Sequence, residues 1–415
     1  MKRSPLVVIF TTVFIDLVGF GIVIPVLPYY AESSRFHATP RTVGLLFASY
    51  SVMQLIFSPI LGRLSDKHGR RPVLLISIIG TGIGFLILGF ANTLLLLFVG
   101  RILDGITGGN ISTAQAYIAD ITTPENRAKG MGLIGAAFGL GFVFGPAIGG
   151  ILTRWGVAVP FFFAAGLCFA NALLLYFTLP ETVTPDHPAR TSAAGGRGLG
   201  QLIKSFADRR LAYVLIIYFL FIVAFSIMTT SFSLFTMFRF GYDAQHTGYL
   251  FAYVGILAVI VQGGLIGRLV KRFGEMSLVI AGAFLFAGSL FAVPFVGPQN
   301  GGLLALLIGG GLFSIGNSLS APSLTSLASK QVSAAEQGSI MGVTQSVASL
   351  ARAAGPALAA VLIHSAIAYI GADGQSHLMS DFSLFVTFWT ASAIMILALL
   401  LAVYYSTRYR SEARP

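Results

Sequence analysis

The amino-acid sequence predicts an all-α polytopic membrane protein, its twelve transmembrane helices arranged as two pseudo-symmetric six-helix bundles. Three observations carry that prediction. The chain of 415 residues is 55% hydrophobic and 10% charged, with a mean hydropathy of +0.84; a soluble globule of this size needs far more polar surface. Apolar runs of about 20 residues or more, long enough to cross a ~30 Å hydrocarbon core as helices, recur along the whole chain. Short motifs of the first half also return in the second.

The first span, near 5–30, follows Lys2-Arg3 as a signal peptide would. Its apolar run is too long for one, contains Asp16 and lacks a small-residue cleavage site, so it reads as a retained helix. The second (42–61) and third (72–91) flank Gly62 to Arg71, GRLSDKHGRR, a charged turn that cannot lie inside lipid. Within the third, Gly80-Thr81-Gly82-Ile83-Gly84 follows no strand and sits inside a helix, so it is not a nucleotide loop. The fourth (94–120) holds Arg101 and Asp104, and the fifth (128–153) is rich in glycine. The sixth (158–179) contains Cys168, the single cysteine, which excludes an intrachain disulfide and a cysteine-based metal site. Residues 180–208, with Pro185, Pro188, Gly195, Gly196, Gly198 and Gly200, read as a cytoplasmic linker between bundles at 1–179 and 209–415. The remaining spans fall near 209–238, 246–266, 275–296, 302–328, 337–367 and 382–405. The six histidines show no metal-ligand spacing, and no metal is expected.

In a soluble protein a net charge of +11 would suggest nucleic acid; here the placement of the basic residues explains it. Most of the 26 Lys and Arg fall at the ends of spans facing the same side as the N-terminus, in the Gly62–Arg71 turn and the linker among others. Arg35, Arg41, Arg154 and Arg239 lie on the far side, and Arg101 and Arg352 within spans. This bias predicts both termini in the cytoplasm, in the cell (inner) membrane.

Gly62-Arg63-Leu64 with Lys67 and Gly69 returns as Gly267-Arg268-Leu269 with Arg272 and Gly274, an offset of 205. Gly145-Pro146-Ala147 returns as Gly355-Pro356-Ala357, an offset of 210, with Gly132 and Leu152 matched by Gly342 and Leu362. Two parallel repeats place a binding site at their interface near mid-membrane, exposed to either side in turn as one half rocks against the other.

A charge at mid-membrane costs about 2.5–3.5 kcal/mol on insertion scales, so Asp16, Arg101, Asp104 and Arg352 require partners or an interior cavity. Arg101 and Asp104 share a helical face with Gly105, Gly108, Ser112 and Gln115, which predicts a polar stripe toward the cavity; alternatively the pair neutralises itself and only orients the helix. Asp16 and Asp104 are the candidate proton carriers, since desolvation favours a neutral carboxyl and a nearby arginine a charged one. Arg352 shares a face with Gln345 and Ser349; its counter-charge is either an anionic substrate or, across the cavity, Asp16 or Asp104. Gln54, Asn110, Gln115, Gln262, Asn317 and Gln345 punctuate otherwise apolar helices in a chain with 35 Phe. Such a cavity suits amphiphilic compounds over sugars. Gly141, Gly145, Pro146, Gly149 and Gly150 read as packing or hinge residues.

Four stretches together resemble the major facilitator superfamily, specifically its drug/H+ antiporter branch, which includes the tetracycline efflux proteins. They are Asp16 to Pro28 in the first span, the Gly62–Arg71 loop, Gly100-Arg101 to Gly108 in the fourth span, and Gly141 to Gly150 in the fifth. The resemblance covers essentially the whole chain. It implies that Asp120 joins Asp66 and Arg70, with Gly62, Gly69 and Arg71, in a cluster that latches the two halves in the outward-facing state, and it favours Asp16 as proton carrier. The tetracycline exporters carry further acids in the third and ninth spans; Gly82 to Phe85 stand in the third here, so the resemblance does not carry tetracycline–metal recognition to this chain.

The expected function is proton-coupled export of lipophilic or amphiphilic small molecules. The alternative is proton-coupled or facilitative transport of a specific organic anion or metabolite. No Walker-type phosphate loop is present, so the expected energy source is a proton gradient with no cofactor. The expected partners are a small lipophilic substrate, protons and the bilayer, with no nucleic acid, and the chain is expected to be a monomer and not an enzyme.

Overall fold

The computed structural model describes residues 5–33, 35–183, 208–332, 337–363, 369–370, 376–377 and 381–409. Most of the expected linker (184–207) and the basic residues Lys2, Arg3, Arg190, Arg197, Lys204, Arg410 and Arg414 lie outside the described residues.

Fourteen helices make up nearly all of the described chain. The first half contains α1 (Pro5–Glu32), α2 (Pro40–His68), α3 (Arg70–Phe90), α4 (Leu94–Thr107), α5 (Asn110–Ile121), α6 (Pro124–Leu152) and α7 (Val159–Thr178). The second contains α8 (Arg209–Phe240), α9 (Ala244–Ile260), α10 (Ile266–Phe273), α11 (Glu275–Ala292), α12 (Gly302–Lys330), α13 (Gln337–Leu362) and α14 (Asp381–Tyr409). A two-residue antiparallel pair, Tyr369–Ile370 with Ser376–His377, lies between α13 and α14.

Among the described residues, eleven helical stretches are long and apolar enough to cross a membrane. Helix α13 is 26 residues long but is not one of them; Thr344, Gln345, Ser346, Ser349 and Arg352 lower its mean hydropathy. The fourth span is two helices, α4 and α5, broken at Gly108–Gly109. The eighth is α9 and α10 joined through a π turn at Val261–Leu265.

Local chemistry sets the ends. Thr39 caps α2 by accepting from the Thr42 amide, with Pro40 pre-set at the first helical position. Thr93, Asp208 and Asp243 accept in the same way at α4, α8 and α9. A single residue, Gly69, separates α2 from α3 at φ 102°, and Gly274 separates α10 from α11 at φ 76°, backbone that side chains with a Cβ rarely adopt.

In the first half α1 packs on α6 and α7, α3 on α4 and α7, and α2 on α4. The second half repeats these pairings: α8 packs on α13 and α14, α11 on α12 and α14, and α9 on α12. Between the halves α6 meets α9, α2 meets α13 and α1 meets α8. Large apolar side chains such as Ile76, Phe90, Phe177, Leu304 and Phe382 remain exposed around the outside, where lipid would cover them.

Candidate functional site

A cavity of about 740 Å³ opens between the halves. Asp16, Phe20, Tyr50, Gln54, Gln115, Phe138 and Phe142 line it from the first half; Tyr218, Phe225, Gln262, Phe313, Asn317, Gln345 and Arg352 line it from the second. Its aromatic rings form a chain that crosses from one half to the other. Tyr50 and Phe20 lie 5.4 Å apart, Phe20 and Phe142 5.8 Å, Phe142 and Phe225 5.6 Å, and Phe225 and Phe313 5.9 Å between ring centroids. Rings at these spacings offer continuous apolar area to a flat or greasy ligand.

Helix α1 brings Asp16 to the cavity wall, where Asn110 Nδ2 donates to Asp16 Oδ1 at 3.1 Å. Asn110 reaches it because the Gly108–Gly109 break restarts the helix there. The Arg101–Asp104 pair lies elsewhere: Arg101 Nη1 binds Asp104 Oδ2 at 2.7 Å, and both side chains are buried inside the first half. This corrects the expectation that Arg101 faces the cavity. The polar stripe is a real face, but it packs against α2, because its glycines admit close approach. A Cβ on Gly105 would stand 2.4 Å from the Tyr50 carbonyl, and one on Gly109 2.8 Å from Ser58 Cα. Ser112 on this face donates to the Ser58 carbonyl at 3.0 Å, and only Gln115 reaches the cavity.

Tyr50 fills the space between Arg101 and the cavity. Its ring lies 4.3 Å from the Arg101 guanidinium, whose Nε and Nη2 have no hydrogen-bond partner among the described residues. The Tyr50 hydroxyl accepts from Gln54 Nε2 at 2.9 Å, and the same amide donates to the Gly108 carbonyl at 2.9 Å. Sequence reasoning missed Tyr50; its position one helical turn before Gln54, on the same face of α2, was the available signal.

At the end of the molecule that carries the α2–α3 turn, Arg70 is fully buried and bridges Asp66 at 2.5 Å and Asp120 at 3.0 Å. It also donates to Ser65 Oγ at 2.7 Å. Glu181, just past α7, accepts from the Arg70 and Arg71 amides at 2.9 and 3.0 Å and so caps α3. A Cβ on Gly69 would stand 2.5 Å from the Glu181 carboxylate, so this glycine is fixed by both its φ and its neighbour. Gly62 faces Ser112 with room to spare. Arg71 lies over the Tyr176 ring and donates to the Tyr176 carbonyl. These described partners all belong to the first half, so in this state the cluster fastens α2, α3 and α5 to one another. Nothing local in the sequence pointed to Glu181, 111 residues from Arg70.

The glycines of α6 serve two interfaces. Cβ atoms on Gly141, Gly145 and Gly149 would stand 2.5, 2.6 and 2.9 Å from Leu17, Gly21 and Ile22 of α1. One on Gly150 would stand 2.8 Å from Gly248 Cα on α9, across the halves, and one on Gly248 3.0 Å from the Pro146 carbonyl. Further contacts between the halves gather at this same end, away from the α2–α3 turn. A Cβ on Gly44 would meet Ala360 at 2.7 Å; the Tyr29 hydroxyl bonds Thr247 Oγ1 at 2.6 Å and Thr236 Oγ1 at 3.2 Å; and Ser233 donates to the Ile24 carbonyl at 3.3 Å. This hydroxyl cluster was not anticipated. Toward the α2–α3 end, Gly135, Gly263, Gly264 and Gly267 have nothing within 4 Å of a Cβ position among the described residues. The described glycine and hydroxyl contacts between the halves thus lie at the end of the cavity away from the α2–α3 turn.

The family model of the Major Facilitator Superfamily matches residues 9–356. Tetracycline resistance protein, class D, of Salmonella ordonez is 35% identical over 369 residues, 87% of this chain and 90% of that protein. Multidrug resistance protein 2 of Bacillus subtilis is 29% identical over 373 residues, 89% of this chain and 91% of that protein. The crystal structure of the human organic anion transporter MFSD10 (TETRAN) is similar with a TM-score of 0.69 at 25% identity, covering 97% of this chain and 99% of that one.

Proposed function

From the premise that this chain belongs to the Major Facilitator Superfamily, we propose that it is a proton-coupled exporter of lipophilic or amphiphilic small molecules working by alternating access. The similar tetracycline and multidrug resistance proteins favour small-molecule efflux over dedicated carriage of one organic anion or metabolite. The single observation that carries the reading is the aromatic cavity between the halves with a carboxylate, Asp16, on its wall.

In this reading residues 1–179 and 209–415 rock about the cavity, joined by 180–208. The basic end faces the cytoplasm of a bacterial inner membrane, with both termini inside, as the positive-inside bias favours. In this reading the α2–α3 end is the one from which an exporter loads. The opposite closure rests on glycine approaches and a few hydroxyl hydrogen bonds, contacts that can part and re-form without exposing a large apolar core.

Asp16 is the proposed proton carrier. It sits on the cavity wall, so it exchanges protons with whichever side the cavity faces. Asp104, held by Arg101 behind Tyr50, positions α4 and is the second candidate. Gln54, Gln115, Gln345 and Arg352 are the proposed polar contacts of the substrate, and the Gly62–Arg71 cluster with Asp120 holds the first half rigid at the loading end. The transporter acts as a monomer, drawing on the proton gradient and on no bound cofactor.

Purified protein in proteoliposomes with a lumenal pH dye tests this, using cationic, neutral and anionic amphiphiles. Wild type should move protons when substrate is added, and Asp16→Asn should lose that flux while still binding substrate. Substrate movement without proton flux, unchanged in Asp16→Asn and Asp104→Asn, would sink the antiport reading.

A further inference from the structure

Among the described residues, the cavity wall carries a cation, Arg352, with no carboxylate paired to it. Arg352 lines it from α13, donating through Nη2 to Ser349 Oγ at 3.1 Å. Its guanidinium lies 5.7 Å from the centroid of Phe138, a ring of the opposite half. Among the described residues no carboxylate lies within ion-pairing distance of it. The two first-half acids that could have served are engaged elsewhere, Asp16 by Asn110 and Asp104 by Arg101. A guanidinium offers five donors in a planar fork and stays charged. Set in an apolar cavity it demands a counter-charge, and the described protein does not supply one.

We infer that Arg352 is the docking point for an anionic group, a carboxylate or sulfonate, on the amphiphile this protein carries. The aromatic body of such a ligand lies along Phe138, Phe142, Phe225 and Phe313, which line the cavity from both halves. The inference rests on the exporter reading and deepens it by separating two sites: the ligand's negative charge meets Arg352, and Asp16 stays available to the proton. A ligand anion therefore contributes affinity and orientation without displacing the proton carrier.

A matched pair of fluorescent probes tests this. 8-Anilinonaphthalene-1-sulfonate and N-phenyl-1-naphthylamine share one aromatic body and differ by the sulfonate. Binding is titrated with protein in phosphatidylcholine nanodiscs, with empty nanodiscs subtracted. Arg352→Gln should weaken the sulfonate at least about tenfold and leave the neutral probe within about twofold, the effect of losing one charged hydrogen-bonding partner. Arg352→Lys keeps the charge and should retain most of the sulfonate affinity. Arg352→Met, which preserves the apolar stem over Phe138, replaces the glutamine variant if that fails to purify.

Equal loss of both probes, or loss of neither, overturns the inference. Repeating the titration with phosphatidylglycerol in the disc checks the source of the anion: competition that depends on Arg352 would assign the site to a lipid headgroup and overturn it as a substrate site. The exporter reading is scored separately, by whether either probe drives proton flux in wild-type proteoliposomes. A selective Arg352 effect without flux would sink that reading while leaving anion recognition standing.

Discussion

At the α2–α3 junction, the first residue of the third span is Arg70, buried between Asp66 and Asp120. At the α10–α11 junction, Glu275 stands 205 positions after Arg70 and begins the ninth span, where it binds Lys330, 210 positions after Asp120. The repeat has kept the places of the two partners and reversed their signs. Helix physics explains part of the difference. A glutamate at a helix N-terminus complements the macrodipole, whereas arginines there oppose it. Helix α3 starts with two arginines, and its exposed amides are instead capped by Glu181. Environment differs as well: the Arg70 side chain is 0% exposed, whereas that of Lys330 is 60% exposed and screened by solvent. Equivalent positions thus form a buried three-helix clamp in one half and a surface tether in the other.

The largest effect should come from breaking the clamp. Arg70→Ala leaves Asp66 and Asp120 without their buried cation and should cost about 3–5 kcal/mol, read as a fall in the thermal unfolding midpoint of purified protein. A midpoint unchanged within error would mean that the clamp holds nothing.

Next come the two turn glycines, which separate backbone strain from contact. Gly274→Ala forces a Cβ into a positive-φ turn with open space around it and should cost about 1–3 kcal/mol. Gly69→Ala adds the collision with Glu181 and should cost more, and in a Glu181→Gly background, already lowered by loss of the α3 cap, the further cost of Gly69→Ala should fall to that of Gly274→Ala. Equal costs at the two glycines would show that Glu181 simply moves aside.

The smallest effect is expected at the tether: Lys330→Ala should cost less than about 1 kcal/mol. Exchanging the pair, Glu275→Lys with Lys330→Glu, should restore only part of the thermal stability lost in either single reversal, because each swapped charge opposes its helix dipole. A loss at Lys330 as large as that at Arg70 would erase the contrast between the halves.

How much of this was legible beforehand differs from residue to residue. The Arg70 bridge to Asp66 was readable because the two sit four residues apart across one tight turn, where spacing fixes geometry. The charge-reversed echo at Glu275 and Lys330 was present in the offsets but hidden by the sign change, since Lys330 looks like one more basic residue at a helix end. Arg101 and Asp104 were correctly grouped on one face, and that face was assigned to the wrong neighbour. Periodicity reports which residues travel together around a helix, not what the helix leans on. Glycines at 105, 108 and 109 let α2 come in against that face, with Tyr50 as the wall behind it.

The sequence by itself determined the class of protein, the places of its membrane helices, the echo between its halves and the charges that would need partners in the membrane. These follow from apolar length, from glycine and charge in short turns, and from the cost of a charge in lipid, all of them local quantities. The tertiary structure alone decided which acid reaches the cavity, that Glu181 caps α3, that glycines and hydroxyls of the two halves meet at the end away from the α2–α3 turn, and that Arg352 faces the cavity with no carboxylate beside it among the described residues. Each of these depends on which helix lies beside which, and that is set by close approach between surfaces far apart in the chain.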